Sequence, residues 1–337
     1  MLHYRSILSL GILAATFGCA GAPPPVEQPP TPAPSSLPPA AIEAPPPSAA
    51  EAKKPEPAKE PAKPVAPTPL FRVTEGIVTP ESVLYDEAND RYLVSNINGK
   101  PDAADNNGFI TEISPDGKVE KLKFIAGGVN KVKLDAPKGT GISGGILYVS
   151  DITVVRKFDL KTGAPKGEIP VPGATFLNDI AVAKDGRVFV SDSGIKSGAN
   201  GFDPTGTDAV YEIDKGKLKT VAKGKDLGGP NGLLAVEKGL LVVTFSSNEL
   251  YRLDEKGVKH DVTKLPGGGL DGITQAGDQL LISSWQTSSV YRGTLAGAFE
   301  VALAELKGPA DIMFDSKRKH LLVPRFLENA VEAYELK

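Results

Sequence analysis

The chain has a single cysteine, Cys19, in 337 residues, so no disulfide framework holds it together. No apolar run reaches the roughly 18 residues of a membrane-spanning helix. Excess positive charge is also lacking. The 38 Lys and Arg face 41 Asp and Glu, a net charge of −3, which excludes the broad basic field of a nucleic-acid binder. Long helical periodicity is absent. Histidine is scarce, with three in all: His3 in the leader, His260 in an outer hairpin, and His320 at the end of its repeat away from the candidate site. None is placed to serve as a general base there. Aromatic residues are missing between Ala20 and Pro69, a stretch that holds 18 of the 30 prolines. Such a segment cannot bury enough apolar area to offset the entropy of ordering.

What is present divides the chain into three: a leader over 1–19, a Pro/Ala-rich linker over 20–69 and a domain over 70–337. The leader opens with a short positive segment, Met1 to Arg5, followed by a mostly apolar run from Ser6 to Phe17. It ends in Thr16-Phe17-Gly18-Cys19, which resembles the lipobox of bacterial lipoproteins. That resemblance implies lipidation of Cys19, export, and anchoring to the cell envelope. Ala20, where an Asp would favour the inner membrane, points to the outer one. An ordinary secretory signal cleaved near Ala20 or Ala22 is the alternative. The linker favours extended polyproline II and reaches roughly 150 Å at its limit, a spacer between membrane and domain. A ligand for a proline-recognition partner is its other reading.

The domain's 268 residues carry an internal repeat. Each unit opens with a turn and an apolar strand, then a tight polar turn, then a second strand rich in Leu, Val and Ser. The second strands are Arg91 to Asn96, Leu147 to Asp151, Val188 to Asp192, Leu240 to Thr244, Leu280 to Ser284 and Leu321 to Pro324. Third strands follow most of them, as in Val154 to Leu160 and Glu249 to Leu253. The equivalent opening residues are Glu81, Lys138, Asn178, Asn231, Asp271 and Ala310, about 46 residues apart on average. This spacing predicts an all-β fold, a six-bladed β-propeller with four-stranded antiparallel blades. The sixth unit lacks an outer strand. The run Phe71 to Thr74 is expected to supply it and close the ring.

In a propeller the innermost strands line a central channel, so the six opening residues meet at one height. Two carboxylates and two amides converge: Glu81, Asn178, Asn231 and Asp271. An oxygen-rich set of this kind suits Ca²⁺ or another divalent metal at one central site. Pro-Asn-Gly and Leu-Asp-Gly are also ordinary turn sequences, which is the structural alternative.

In this order the residues resemble the six-bladed propellers of the gluconolactonase and regucalcin (senescence marker protein) family. Glu81 opens blade one, Asn178-Asp179 blade three, Asn231-Gly232 blade four and Asp271-Gly272 blade five. The resemblance implies a divalent metal, usually calcium, and hydrolysis of lactones or related esters. Glu81, Asn231 and Asp271 would be ligands, and Asn178 a ligand or a substrate contact. The family often has Arg two residues before the blade-three Asn, where this chain has Phe176.

Asp271 and Lys138 are the candidate catalytic groups. For Lys138 three roles stay open: a salt bridge with Glu81 or Asp271, stabilisation of an oxyanion or action as a base, or replacement of the metal by its ammonium. Asp151 and Asp192 end second strands on the rim side, as substrate contacts or strand-end turns. Trp285 is a candidate pocket wall and Arg325 a candidate anion contact. The long loops Ser95–Gly108 and Ser191–Asp208 are candidates to cover the site. Two functions follow: an envelope-tethered, metal-dependent hydrolase of small lactones or esters, or a non-catalytic propeller that binds an envelope ligand or protein.

Overall fold

A computed structural model of the protein describes residues 68–199 and 201–336. The leader, Cys19 and the linker up to residue 67 lie outside the described residues.

Short runs of Leu, Val, Ile and Tyr, cut by polar turns, form strands throughout the described residues, with only two three-residue 3₁₀ turns among them. The turns carry the expected chemistry. In Ser114-Pro115-Asp116-Gly117, the Gly117 N–H donates to the Ser114 carbonyl at 2.9 Å, and Gly117 takes φ +87°, which its missing Cβ permits.

The strands form six four-stranded antiparallel sheets, plus a small hairpin that pairs Ile195–Gly198 with Gly201–Pro204. The protein is thus a six-bladed propeller. The inner strands are Pro80–Asp86, Pro137–Ser143, Leu177–Val182, Pro230–Val236, Leu270–Ala276 and Met313–Asp315. Each packs on the inner strand of the next blade, and the sixth meets the first through a parallel bridge from Asp311 to Ser82. In the sixth sheet, Phe71–Val73 pairs antiparallel with Ala330–Glu335, Phe71 standing opposite Ala333. The core is a set of layers between facing blades. Val83, Tyr92, Leu322 and Val331 fill one, and Val155, Leu177, Val190 and Tyr211 another.

Five inner strands share one irregularity. Their register slips between Pro80 and Val83, Pro137 and Thr140, Leu177 and Ile180, Pro230 and Leu233, and Leu270 and Ile273. Each slip is a bulge, and a bulge re-aims side chains and frees backbone groups. The repeated serine of the second strand takes up those groups. Ser191 Oγ accepts from Asp179 N at 3.0 Å and donates to the Asn231 carbonyl of the next blade at 2.7 Å. Ser283 Oγ accepts from Gly272 N at 2.8 Å and donates to the Ala310 carbonyl at 2.8 Å. One hydroxyl therefore stitches two blades. Ser191→Ala is expected to lower stability by about 2 kcal/mol, since it strands one buried donor and one buried acceptor. Urea denaturation measures this, and a loss below about 0.5 kcal/mol would show that the stitch is dispensable.

The sixth unit has a shorter regular inner strand, which begins only at Met313. The slip is kept, since Pro309 bridges Arg325 and Met313 faces Leu322, a step of four residues against three, with Ala310 buried within it.

Candidate functional site

The bulges aim Glu81, Lys138, Asn178, Asn231 and Asp271 into one pocket on the axis. All five are at least 95% buried. The cavity is small, about 40 Å³, which is room for an ion and a few waters. Ala310 does not line it.

Three oxygens there are buried without any hydrogen-bond partner: Glu81 Oε2, Asn231 Oδ1 and Asp271 Oδ1. Buried polar atoms are rarely left unpaired, so each orphan calls for a ligand. The other atoms of the floor are held in place. Trp285 Nε1 donates to Asp271 Oδ2 at 2.5 Å, and Asn178 Nδ2 donates to Ser193 Oγ at 3.1 Å. Among the described residues, no group of three or more His, Cys, Asp or Glu side chains is arranged for a metal. The donor set is instead two carboxylates with two amides. These are hard oxygens with open lone pairs, and they fit a cation of the calcium class.

Lys138 does not consume those oxygens. Among the described residues it forms no ion pair, so the salt bridge to Glu81 or Asp271 that the sequence suggested is absent. Its Nζ lies 4.3 Å from the centre of the Phe176 ring and donates to the Ala136 carbonyl at 3.3 Å. Burial pulls its pKa below the usual lysine range, against the charges of Glu81, Asp151 and Asp102.

The carboxyls move the other way. Burial, then repulsion from Asp271 and Asp311, pushes Glu81 well above its ordinary value. Burial raises Asp271 to about 7, against the Trp285 hydrogen bond. Asp179, one layer below, rises to about 6 by burial. The sign of the pH effect follows. Between pH 3.8 and about 7 the unfolded chain has released the Asp271 proton while the folded chain keeps it. The contribution of Asp271 to the stability of the metal-free protein is therefore full below pH about 4 and is lost as pH rises to about 7, on the order of 4 kcal/mol. Melting temperatures taken in chelator from pH 4 to 8 should decline, and calcium should reverse the decline at pH 8. A rising profile would contradict the buried, unpaired floor.

Above the floor the wall is aromatic. Phe176, Phe202, Phe245, Trp285 and Phe326 form a continuous arc, with neighbouring ring centres 5.5, 6.1, 6.2 and 5.0 Å apart. Both long loops reach the pocket. Ile97 and Pro101 come from the first, Ile195 and Phe202 from the second. They meet where Ser197 N donates to Asp102 Oδ2 at 2.8 Å. Trp285 lines the pocket as part of this wall. The rest of the arc went unread in the sequence, although a signal existed. Ile97, Phe245, Trp285 and Phe326 each stand directly after a second strand.

Three expected contacts lie elsewhere. Asp151 accepts from the N–H groups of Asp135 and Ala136 and from Arg156 Nε, and Asp192 from those of Thr175, Phe176 and Gly194. These carboxylates pin the segment that leads into the inner strand of their own blade, and neither lines the pocket. Arg325 is buried against Glu332, Glu328 and the Glu305 carbonyl, also away from the pocket. Strand-end acids serve the backbone here because these N–H groups lie just outside the inner and second strands, where no ladder partner meets them.

A Gly-x-Ser-x-Gly sequence does occur, at Gly141-Ile142-Ser143-Gly144-Gly145. It forms a strand end and hairpin turn, not a strand-to-helix elbow, and the Ser143 hydroxyl donates to the Gly186 carbonyl at 2.9 Å. No histidine lines the central pocket.

No protein-family model and no curated protein matches the chain. Solved structures do. A gluconolactonase from Xanthomonas campestris is 19% identical, covers 82% of this chain and 96% of its own, and superposes with a TM-score of 0.60. Structural neighbours of this chain include gluconolactonases. Virginiamycin B lyase from Staphylococcus aureus, a catalytically inactive variant with quinupristin, is 16% identical over 78% of this chain and 97% of its own, TM-score 0.53. A chain of a nidogen/laminin complex is 16% identical over 65% of this chain and 77% of its own, TM-score 0.52. At these identities the likeness is one of fold.

Proposed function

We propose that this protein is an envelope-tethered, metal-dependent hydrolase of small lactones or esters. The observation that carries the proposal is the convergence of three open, buried oxygens, on Glu81, Asn231 and Asp271, in one axial cavity. With Asn178 these side chains would hold one calcium or similar divalent cation. A bound cation would supply Lewis acidity toward a substrate carbonyl.

The chain's own residues do the rest. Trp285 Nε1 fixes one Asp271 oxygen, and burial tunes that carboxyl toward neutrality, so it is suited to take a proton from water and return it. Water adds to the carbonyl carbon, the C–O bond breaks, and the freed alkoxide oxygen receives the proton, leaving a hydroxy acid. Lys138, held on Phe176, brings a cationic donor to charge that develops on oxygen. The aromatic wall excludes bulk water.

Elemental analysis should find about one calcium per chain, and lactone turnover in a pH-stat should vanish with chelator and return with calcium. A purified chain that holds no divalent metal and is not stabilised by calcium would remove the hydrolase reading. The second reading is a binding propeller, favoured by the nidogen/laminin neighbour and by the extended aromatic arc. Calcium binding without turnover of any lactone or ester would select it.

We also propose that Cys19 carries the lipid anchor, with the proline-rich linker as spacer and the outer membrane as destination. Among the described residues no helix is long and apolar enough to cross a membrane. Cys19→Ser should abolish radiolabelled palmitate incorporation and move the protein to the aqueous phase of a detergent partition. Retained label would place the anchor elsewhere.

A further inference from the structure

We infer that the substrate of this pocket bears an apolar acyl or aryl group on its lactone or ester, and that polyhydroxylated sugar lactones are disfavoured. The inference rests on the hydrolase reading for the bond that is cut. The preference itself is a property of the wall. Every polar side chain of the pocket belongs to the floor, within one bulge layer around the axis. The wall above presents only rings and aliphatic groups, with Phe176, Phe202, Phe245, Trp285 and Phe326 as its arc.

A sugar hydroxyl placed against this wall loses its water partners and gains none, which penalises binding. An alkyl or aryl substituent loses only its own hydration and gains contact with ring faces and edges. The small cavity leaves space at the floor for little more than the reacting carbonyl, so the substituent must lie along the arc. Phe202 suits that contact, because it lines the pocket from the inserted hairpin and is 40% exposed.

Phe176 adds a second selective element. Lys138 lies over its ring, so the position beside Asn178 offers an aromatic face and one ammonium, not a fork of donors for several hydroxyls.

The test measures binding, so it is separate from turnover. Trp285 is the only tryptophan in the chain, and it sits in the arc. Its fluorescence is followed in the full chain, in detergent with calcium, while three lactams are titrated: δ-valerolactam, 6-pentyl-δ-valerolactam and glucono-δ-lactam. Equilibrium dialysis of the same lactams gives affinities independent of fluorescence. The pentyl compound should bind at least tenfold tighter than the parent ring, as each buried methylene contributes about fourfold. Glucono-δ-lactam should bind more weakly than the parent. Phe202→Ser should cut the pentyl advantage, read as the ratio of the two lactam affinities in the same protein, about threefold to tenfold.

Glucono-δ-lactam binding as tightly as the pentyl compound would overturn the inference, as would failure of all three to bind. If the lactam order holds but no lactone or ester is hydrolysed, the specificity stands and the hydrolase reading falls. If lactones are hydrolysed with the sugar lactone preferred, the reverse is true.

Discussion

Glutamine in place of Glu81 is expected to stabilise the metal-free protein and to abolish its response to calcium. Glu81 is buried, one of its oxygens has no partner, and it faces Asp271 and Asp311. In chelator at pH 8 the folded state must either hold a poorly compensated charge or keep a proton that water would otherwise remove. The isosteric amide ends both penalties, which should be worth at least about 1–2 kcal/mol, or a few degrees in melting temperature. Lys138 is the counterweight. It gains favourable charge from Glu81, so it should lose its proton more readily in the variant. Its ammonium is already discouraged by burial, so the net effect remains stabilising.

With metal the order reverses. The parent protein at a calcium concentration 100 times its Kd gains about 2.7 kcal/mol, roughly 5–10 °C for a domain of this size. The variant loses a charged oxygen from a set of four side chains, and its affinity should fall at least about 100-fold. Lactone turnover should fall with it. Melting curves with chelator and with calcium read both effects. A variant that keeps the full calcium shift would exclude Glu81 from any cation site.

Alanine in place of Gly272 is expected to unfold a large share of the molecule, at a loss of about 4 kcal/mol or more. A Cβ at this position would stand 2.4 Å from Ile312 N and 2.7 Å from Asp311 Cα. Both are backbone atoms of the neighbouring blade, so no rotamer change relieves the clash, and blades five and six must part. The same close approach recurs where Gly139 meets Asp179 Cα at 2.4 Å. Gly277→Ala is the control. Its Cβ would meet nothing within 4 Å, and only the φ of +67° is strained, at about 1–2 kcal/mol. Guanidinium denaturation of the two variants separates packing from backbone preference. Equal losses would show that the inner ring can open to admit a methyl group.

The two glycine positions also show how the fold became legible. Asn-Gly and Asp-Gly at Asn231-Gly232 and Asp271-Gly272 look like ordinary turns when each is read alone. Their common phase with the Leu-Val-Ser strands places them on inner strands, because the ladder of each blade repeats the same short-range pattern. The phase holds at Ala310 too, where the regular strand starts late but Pro309 still bridges Arg325 and Ser283 Oγ still donates to the Ala310 carbonyl. Asp151 and Asp192 left two readings open for a related reason. A carboxylate at a strand end looks the same in sequence whether it faces a pocket or caps the backbone beside it.

Sequence alone determined the number of blades, the phase of their strands, and the identity of the polar residues that face the axis. These follow from patterns a few residues long, repeated around a ring. Only the tertiary structure decided which oxygens remain open, that Lys138 rests on Phe176 and forms no ion pair with the carboxylates, and that five aromatic rings from four blades form one wall. Hydrogen-bond satisfaction and desolvation depend on neighbours brought from distant parts of the chain, and no local pattern records them.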